Sequence, residues 1–96
     1  MPRYVIEREL PGAGNLSEKD LITLSQRSCR ILDNLGTQIQ WVESFVTENK
    51  IYCIYQASSR ALVMQHASMG DFPANRIEEI TTVINHITAE RPAVKA

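Results

Sequence analysis

The chain lacks every short motif that would announce its chemistry. It contains no C-x-x-C, no H-E-x-x-H and no G-x-G-x-x-G, so metal fingers, zinc proteases and dinucleotide folds have no signature here. It has only two cysteines, Cys29 and Cys53, in segments patterned as a helix and a strand. That is too few for a disulfide framework, and a reducing compartment fits them better. No basic run occurs. Ten Lys and Arg stand against eleven Asp and Glu, for a formal net charge of -1. Binding to nucleic acid through its phosphates is therefore not expected. No stretch approaches the roughly 18 apolar residues of a membrane span, and the charged opening Met1–Leu10 lacks the apolar core of a signal peptide. Asn15-Leu16-Ser17 matches a glycosylation sequon, but without secretion the match is a coincidence. The expected location is the cytoplasm.

Ninety-six residues allow one domain with a modest core, expected over 1–96 with 89–96 as a flexible tail. Tyr4–Glu9 reads as a strand around Val5 and Ile6. Pro11–Asn15 is a loop. Ser17 and Asp20 have the spacing of a capping box, and the helix they start is expected to stop at Gly36. Its buried face collects Leu21, Leu24, Ser28, Ile31, Leu32 and Leu35, with Cys29 at the edge. Gln38–Val46 and Ile51–Ala57 are strands joined by the short Thr47–Lys50 turn, hence an antiparallel hairpin. With Val46 opposite Ile51, Ser44 faces Cys53 and Val42 faces Tyr55. Trp41 and Phe45 then share the other face with Tyr52 and Ile54. Ser58 or Ser59 starts a short helix ending near Met69-Gly70. A structured loop over 71–75 precedes a last strand expected over Arg76–His86, with Glu78–Ile80 as a possible helical turn.

The order β-α-β-β-α-β makes a ferredoxin-like sandwich the simplest α+β solution, because neighbouring elements pack together through right-handed crossovers. Helices cover one sheet face. The other, carrying Trp41, Phe45 and Ile54, is too apolar to leave wet, so a homodimer through the sheet is expected.

One residue stands out chemically. At about 100° per residue, Leu62, His66 and Met69 share one side of the second helix, so His66 points at the core. A buried imidazole needs a partner or a task. It can be a core histidine bonded to a carbonyl or carboxylate, a proton carrier, or a metal ligand. Cys53 falls on the hairpin face that can lie under the helices. An imidazole and a thiolate together favour borderline-soft divalent metals, and Glu7 could add a carboxylate. The bland alternatives are an inert buried thiol and a salt-bridged surface glutamate. His86, the other histidine, reads as structural or exposed.

Five segments taken in order carry a resemblance: Tyr4–Arg8, Gln40–Val46, Lys50–Ala57, Gln65–Ala67 and Gly70–Ile77. Together, across about residues 2 to 88, they resemble a family of small actinobacterial ferredoxin-like proteins formerly of unknown function that includes a nickel-binding member. The resemblance implies an α+β, ferredoxin-like βαββαβ sandwich of the dimeric α/β-barrel type. It also implies nickel, or another divalent transition metal, with His66, Cys53 and Glu7 as the candidate ligands. Storage, buffering or sensing of the metal is the function it implies. The competing expectation is a small dimeric enzyme of the monooxygenase, isomerase or cyclase kind. There His66 would move a proton on an apolar organic substrate in a pocket shaped by Trp41, Tyr52 and Phe72. A third is an interaction module whose His66 is merely satisfied in the core.

Overall fold

The structure is a computed structural model, and residues 1–92 of it are described. Strand β1 spans Arg3–Glu9, helix α1 Glu18–Leu35, β2 Ile39–Val46, β3 Lys50–Ala57, α2 Arg60–Met69 and β4 Arg76–Ile80. A single 3-10 turn, Ala13–Asn15, interrupts the first connection, and a last helical turn, α3, covers His86–Ala89. The strands form one antiparallel sheet in the order β2-β3-β1-β4. This is the ferredoxin-like βαββαβ sandwich. The barrel expected with it is not formed: the sheet is open, with β2 and β4 as its two edges.

Local chemistry explains most boundaries. Ser17 accepts from the Asp20 amide at 3.1 Å while Asp20 accepts from the Ser17 amide at 3.2 Å, the reciprocal capping box. Helix α1 ends where Gly36 takes φ +88°, a conformation that costs a residue without a Cβ little. Ser59 caps α2 through the Leu62 amide. In the tight hairpin the Thr47 amide donates to the Lys50 carbonyl at 2.8 Å.

Alternation sorts the sheet into two faces. Tyr4, Ile6 and Arg8 of β1, Ile51, Cys53, Tyr55 and Ala57 of β3, and Ile77 of β4 point inward and are buried under the helices. Val5 and Glu7, Tyr52 and Ile54 point to the other side. Strand β2 departs from the expected register. Val46 does face Ile51 and Ser44 does face Cys53, but a bulge between Trp41 and Glu43 sets Trp41, not Val42, opposite Tyr55. One extra residue inverts the facing of everything before it. Trp41 therefore leaves the outer face for the helix side, where its indole N–H donates to Ser44 Oγ at 2.9 Å.

The last strand is shorter than its apolar markers suggest. It stops at Ile80, and Glu78–Ile80 are extended rather than helical. Val83, Ile84 and Ile87 lie outside it and are exposed, Ile84 to 76%. Asn85 and Thr88 form a second capping box that turns 86–89 into α3. Of the tail expected over 89–96, residues 93–96 lie outside the described residues. Met69, expected inside with His66, is half exposed, and the stripe α2 buries is Val63, His66 and Ala67.

Candidate functional site

The inward face of the sheet and the undersides of α1 and α2 bring five polar groups together: Arg8, Ser28, Cys53, Tyr55 and His66. His66 is completely buried. Its Nε2 lies 2.9 Å from Ser28 Oγ, so the middle of α1 is tied to the end of α2. Its Nδ1 is buried without a hydrogen-bond partner. Whichever tautomer is present, one polar atom of the ring is unmet, at a cost of about 1–3 kcal/mol. The ring is packed by Tyr55, with centroids 5.0 Å apart, and by Phe72 at 5.3 Å. Burial, reinforced by the Arg8 charge and partly offset by hydrogen bonding to Ser28, lowers its pKa to about 4. At neutral pH His66 is thus an uncharged imidazole, able to give or accept one hydrogen bond at each nitrogen.

Arg8 is the unexpected member. It is 5% exposed, on the same strand face as Tyr4 and Ile6. Its Nε donates to Cys53 Sγ at 3.3 Å and its Nη1 to the Pro73 carbonyl at 2.5 Å. The Phe72 ring lies beneath two guanidinium groups, with Arg8 Cζ 5.4 Å and Arg27 Cζ 4.7 Å from its centroid. Arg27 also donates to the Gly70 carbonyl. The loop from Gly70 to Asn75 is fastened to β1 as well, with Asn75 N to Glu7 O at 3.0 Å and Glu9 N to Asn75 Oδ1 at 2.8 Å. Tyr55, with Ser28 and Arg8 near its hydroxyl, has its pKa pushed up to about 12, chiefly by burial and then by the neighbouring Cys53.

A cavity of about 80 Å³ lies between α1 and the sheet, walled by Leu21, Leu24, Trp41, Ile51 and Phe72 and reached by Arg8, Ser28, Cys53 and Tyr55. His66 is not part of the wall; it stands behind Ser28 and Tyr55. Tyr52, expected as a pocket residue, is on the other sheet face, whereas Trp41 and Phe72 do line the cavity.

Of the three candidate ligands, Cys53 and His66 belong to the layer between sheet and helices, and Glu7 does not. Glu7 sits on the outer face, opposite Tyr52 in the β1–β3 ladder, and accepts from Lys50 Nζ at 2.6 Å. That hydrogen bond lowers the Glu7 pKa. Chemically His66 and Cys53 suit a borderline divalent metal, and the unpartnered Nδ1 is a free nitrogen donor. Yet among the described residues no group of three or more His, Cys, Asp or Glu is close enough to hold an ion. One chain offers two donors of the right kind and no closed set. Cys29 is exposed and unpaired, and His86 is exposed on α3.

Arg8 and Ser28 were within reach of sequence reasoning. Arg8 follows Tyr4 and Ile6 at a spacing of two, which puts it inward with them. Ser28 interrupts an otherwise apolar helix stripe, on the face turned toward His66. What the pattern could not give is that these two side chains meet Cys53, Tyr55 and His66 across four elements.

Comparison with known proteins follows the geometry. Residues 4–80 match the profile of the family described as SCO4226-like, nickel responsive protein SCO4226-like. Among curated proteins none matches the chain. Among solved structures, the crystal structure of SCO4226 from Streptomyces coelicolor A3(2) superposes with a TM-score of 0.72 at 13% identity, covering 85% of this chain and 99% of that one. At that identity the likeness speaks for the fold, and the profile match over most of the chain speaks for descent. The chain belongs to the SCO4226-like family of nickel responsive proteins.

Proposed function

We propose that the protein is a cytoplasmic nickel-binding protein, serving storage, buffering or sensing of nickel or another divalent transition metal, with His66 and Cys53 as its donors. The observation that carries this reading is the buried, unpartnered Nδ1 of His66 on the same side of the sheet as the buried thiol of Cys53. The family's link to nickel gives that pair of donors its meaning. Glu7, across the sheet and paired with Lys50, is left out of the donor set. With two protein donors, the remaining coordination positions fall to water or to a second molecule, so affinity is expected to be moderate. Two unpaired cysteines, one of them exposed, suit a reducing compartment. Among the described residues no helix is long and apolar enough to cross a membrane.

Metal binding displaces protons from its ligands, and here the imidazole is already neutral above about pH 5. Calorimetric titration of the metal-free protein with nickel, zinc and cobalt tests the site, with thiolate charge-transfer absorption as a second signal. His66→Ala with Cys53→Ala is expected to weaken nickel binding more than tenfold and to abolish the absorption band. Wild-type binding by that double variant would sink the assignment. A catalytic reading requires a relay through Ser28 or Tyr55, since His66 does not reach the cavity itself.

A homodimer through the outer sheet face belongs to the same proposal. Phe45 is 52% exposed there, beside Tyr52 in the hairpin ladder, with Ile54 and Val5 half-buried nearby. Sheet-to-sheet packing would cover them. Phe45→Glu places a carboxylate in that contact and is expected to weaken association at least about fivefold, given roughly 1–3 kcal/mol for an unpaired buried polar group. Light scattering across a dilution series measures this. An unchanged dimer in the variant would move the interface to another face, and a wild-type monomer at high concentration would remove it.

A further inference from the structure

We propose that the cavity between α1 and the sheet binds a small organic carboxylate, with the buried guanidinium of Arg8 as its counter-ion. The inference goes beyond the nickel reading and does not depend on it.

Its basis is a charge without an opposite. Arg8 is 5% exposed, and a buried guanidinium is normally matched by a carboxylate. Among the described residues the ion pairs are Glu7 with Lys50 and Arg76 with Glu78, both away from Arg8. What Arg8 touches is a thiol, a carbonyl oxygen and an aromatic face. No Asp or Glu lines the cavity that it borders. Guanidinium is also the side chain best shaped to hold a carboxylate, through two parallel N–H donors.

The remaining wall defines the rest of the ligand. Leu21, Leu24, Trp41 and Ile51 present apolar surface, while the hydroxyls of Ser28 and Tyr55 stand beside the charge as neutral hydrogen-bonding groups. A cavity of about 80 Å³ is smaller than the roughly 150 Å³ that accommodates benzene. A short aliphatic body ending in one carboxylate suits it. Dicarboxylates and polyphosphates would bring charge that no second cation meets.

Trp41, the single tryptophan of the chain, lines the cavity and reports on it. Metal-stripped protein is titrated with sodium acetate, acetamide and ethylammonium chloride at constant ionic strength, following indole fluorescence. Acetate is expected to saturate the signal with at least tenfold higher affinity than acetamide, and ethylammonium to give no saturation. Arg8→Gln, checked for folding by circular dichroism, should reduce acetate to the level of acetamide, and Arg8→Lys should retain part of the preference. If Arg8→Gln does not fold, the three probes on the wild-type protein decide the matter alone. Equal affinity for the acid and the amide, or no saturation by acetate in the millimolar range, overturns the proposal.

Discussion

Taken from about pH 7 to about pH 4.5, the metal-free protein is expected to lose about 2–3 kcal/mol of stability through His66 alone. The sign follows from where the proton goes first. In the unfolded chain the imidazole titrates near 6.5, whereas in the folded protein it resists protonation until about 4. Between those values the unfolded state binds a proton that the folded state refuses, so stability falls as pH falls. Below about 4 both states carry the proton and the loss is complete, at about 3 kcal/mol for a depression of this size. Burial sets most of it and the Arg8 charge adds to it. Glu7 acts in the same direction, since the Lys50 hydrogen bond lowers its pKa and acid removes that stabilisation. Comparison with His66→Gln separates the two, because Glu7 is common to both proteins. Urea unfolding followed by Trp41 fluorescence at several pH values should give the variant the flatter profile. Parallel profiles would mean that the imidazole is already charged, or already solvated, in the native protein.

How much of this could be seen in the residues beforehand depends on the range of the signal. The helices were legible because their punctuation is local: Ser17, Asp20 and Gly36 bound α1, and Ser59 starts α2. The hairpin was legible from its turn and from Val46 opposite Ile51. The inward facing of Trp41 is not legible in the sequence, because a bulge leaves no mark in a two-residue alternation that is apolar on both faces; only pairing with Tyr55 reveals it. The last strand is shorter than its sequence pattern because Val83, Ile84 and Ile87 carry β-type side chains without a neighbouring strand to pair with. Burial of His66 followed from helical spacing, and the inward facing of Cys53 from strand alternation. The separation of Glu7 from both was implicit in the same alternation once Ile6 is set opposite Cys53. The barrel came with the family resemblance, and a single open sheet does not supply it.

The tightest constraint on the site is Gly70, and replacing it by alanine is expected to cost about 2–3 kcal/mol through overpacking. The backbone is not the reason, for its φ of -90° is open to any residue. A Cβ placed there would stand 2.1, 2.5 and 2.6 Å from Cε2, Cδ2 and Cζ of Phe72. That ring has little room to retreat. Its amide donates to the Ala67 carbonyl at 2.9 Å, Pro73 restricts its backbone, and its ring packs against both the His66 imidazole and the Arg27 guanidinium. Displacing it opens the wall that keeps water from His66 and loosens the cavity beside Arg8. The substitution should therefore raise the imidazole pKa from about 4 toward its ordinary 6.5, which NMR titration of the ring protons can follow. A double-mutant cycle identifies the cause. In a Phe72→Ala background the clash has no partner, so adding Gly70→Ala should cost little more than Phe72→Ala alone, a coupling of about 1–3 kcal/mol. If the two losses simply add, Gly70 serves the end of α2 and not the packing of Phe72 over the site.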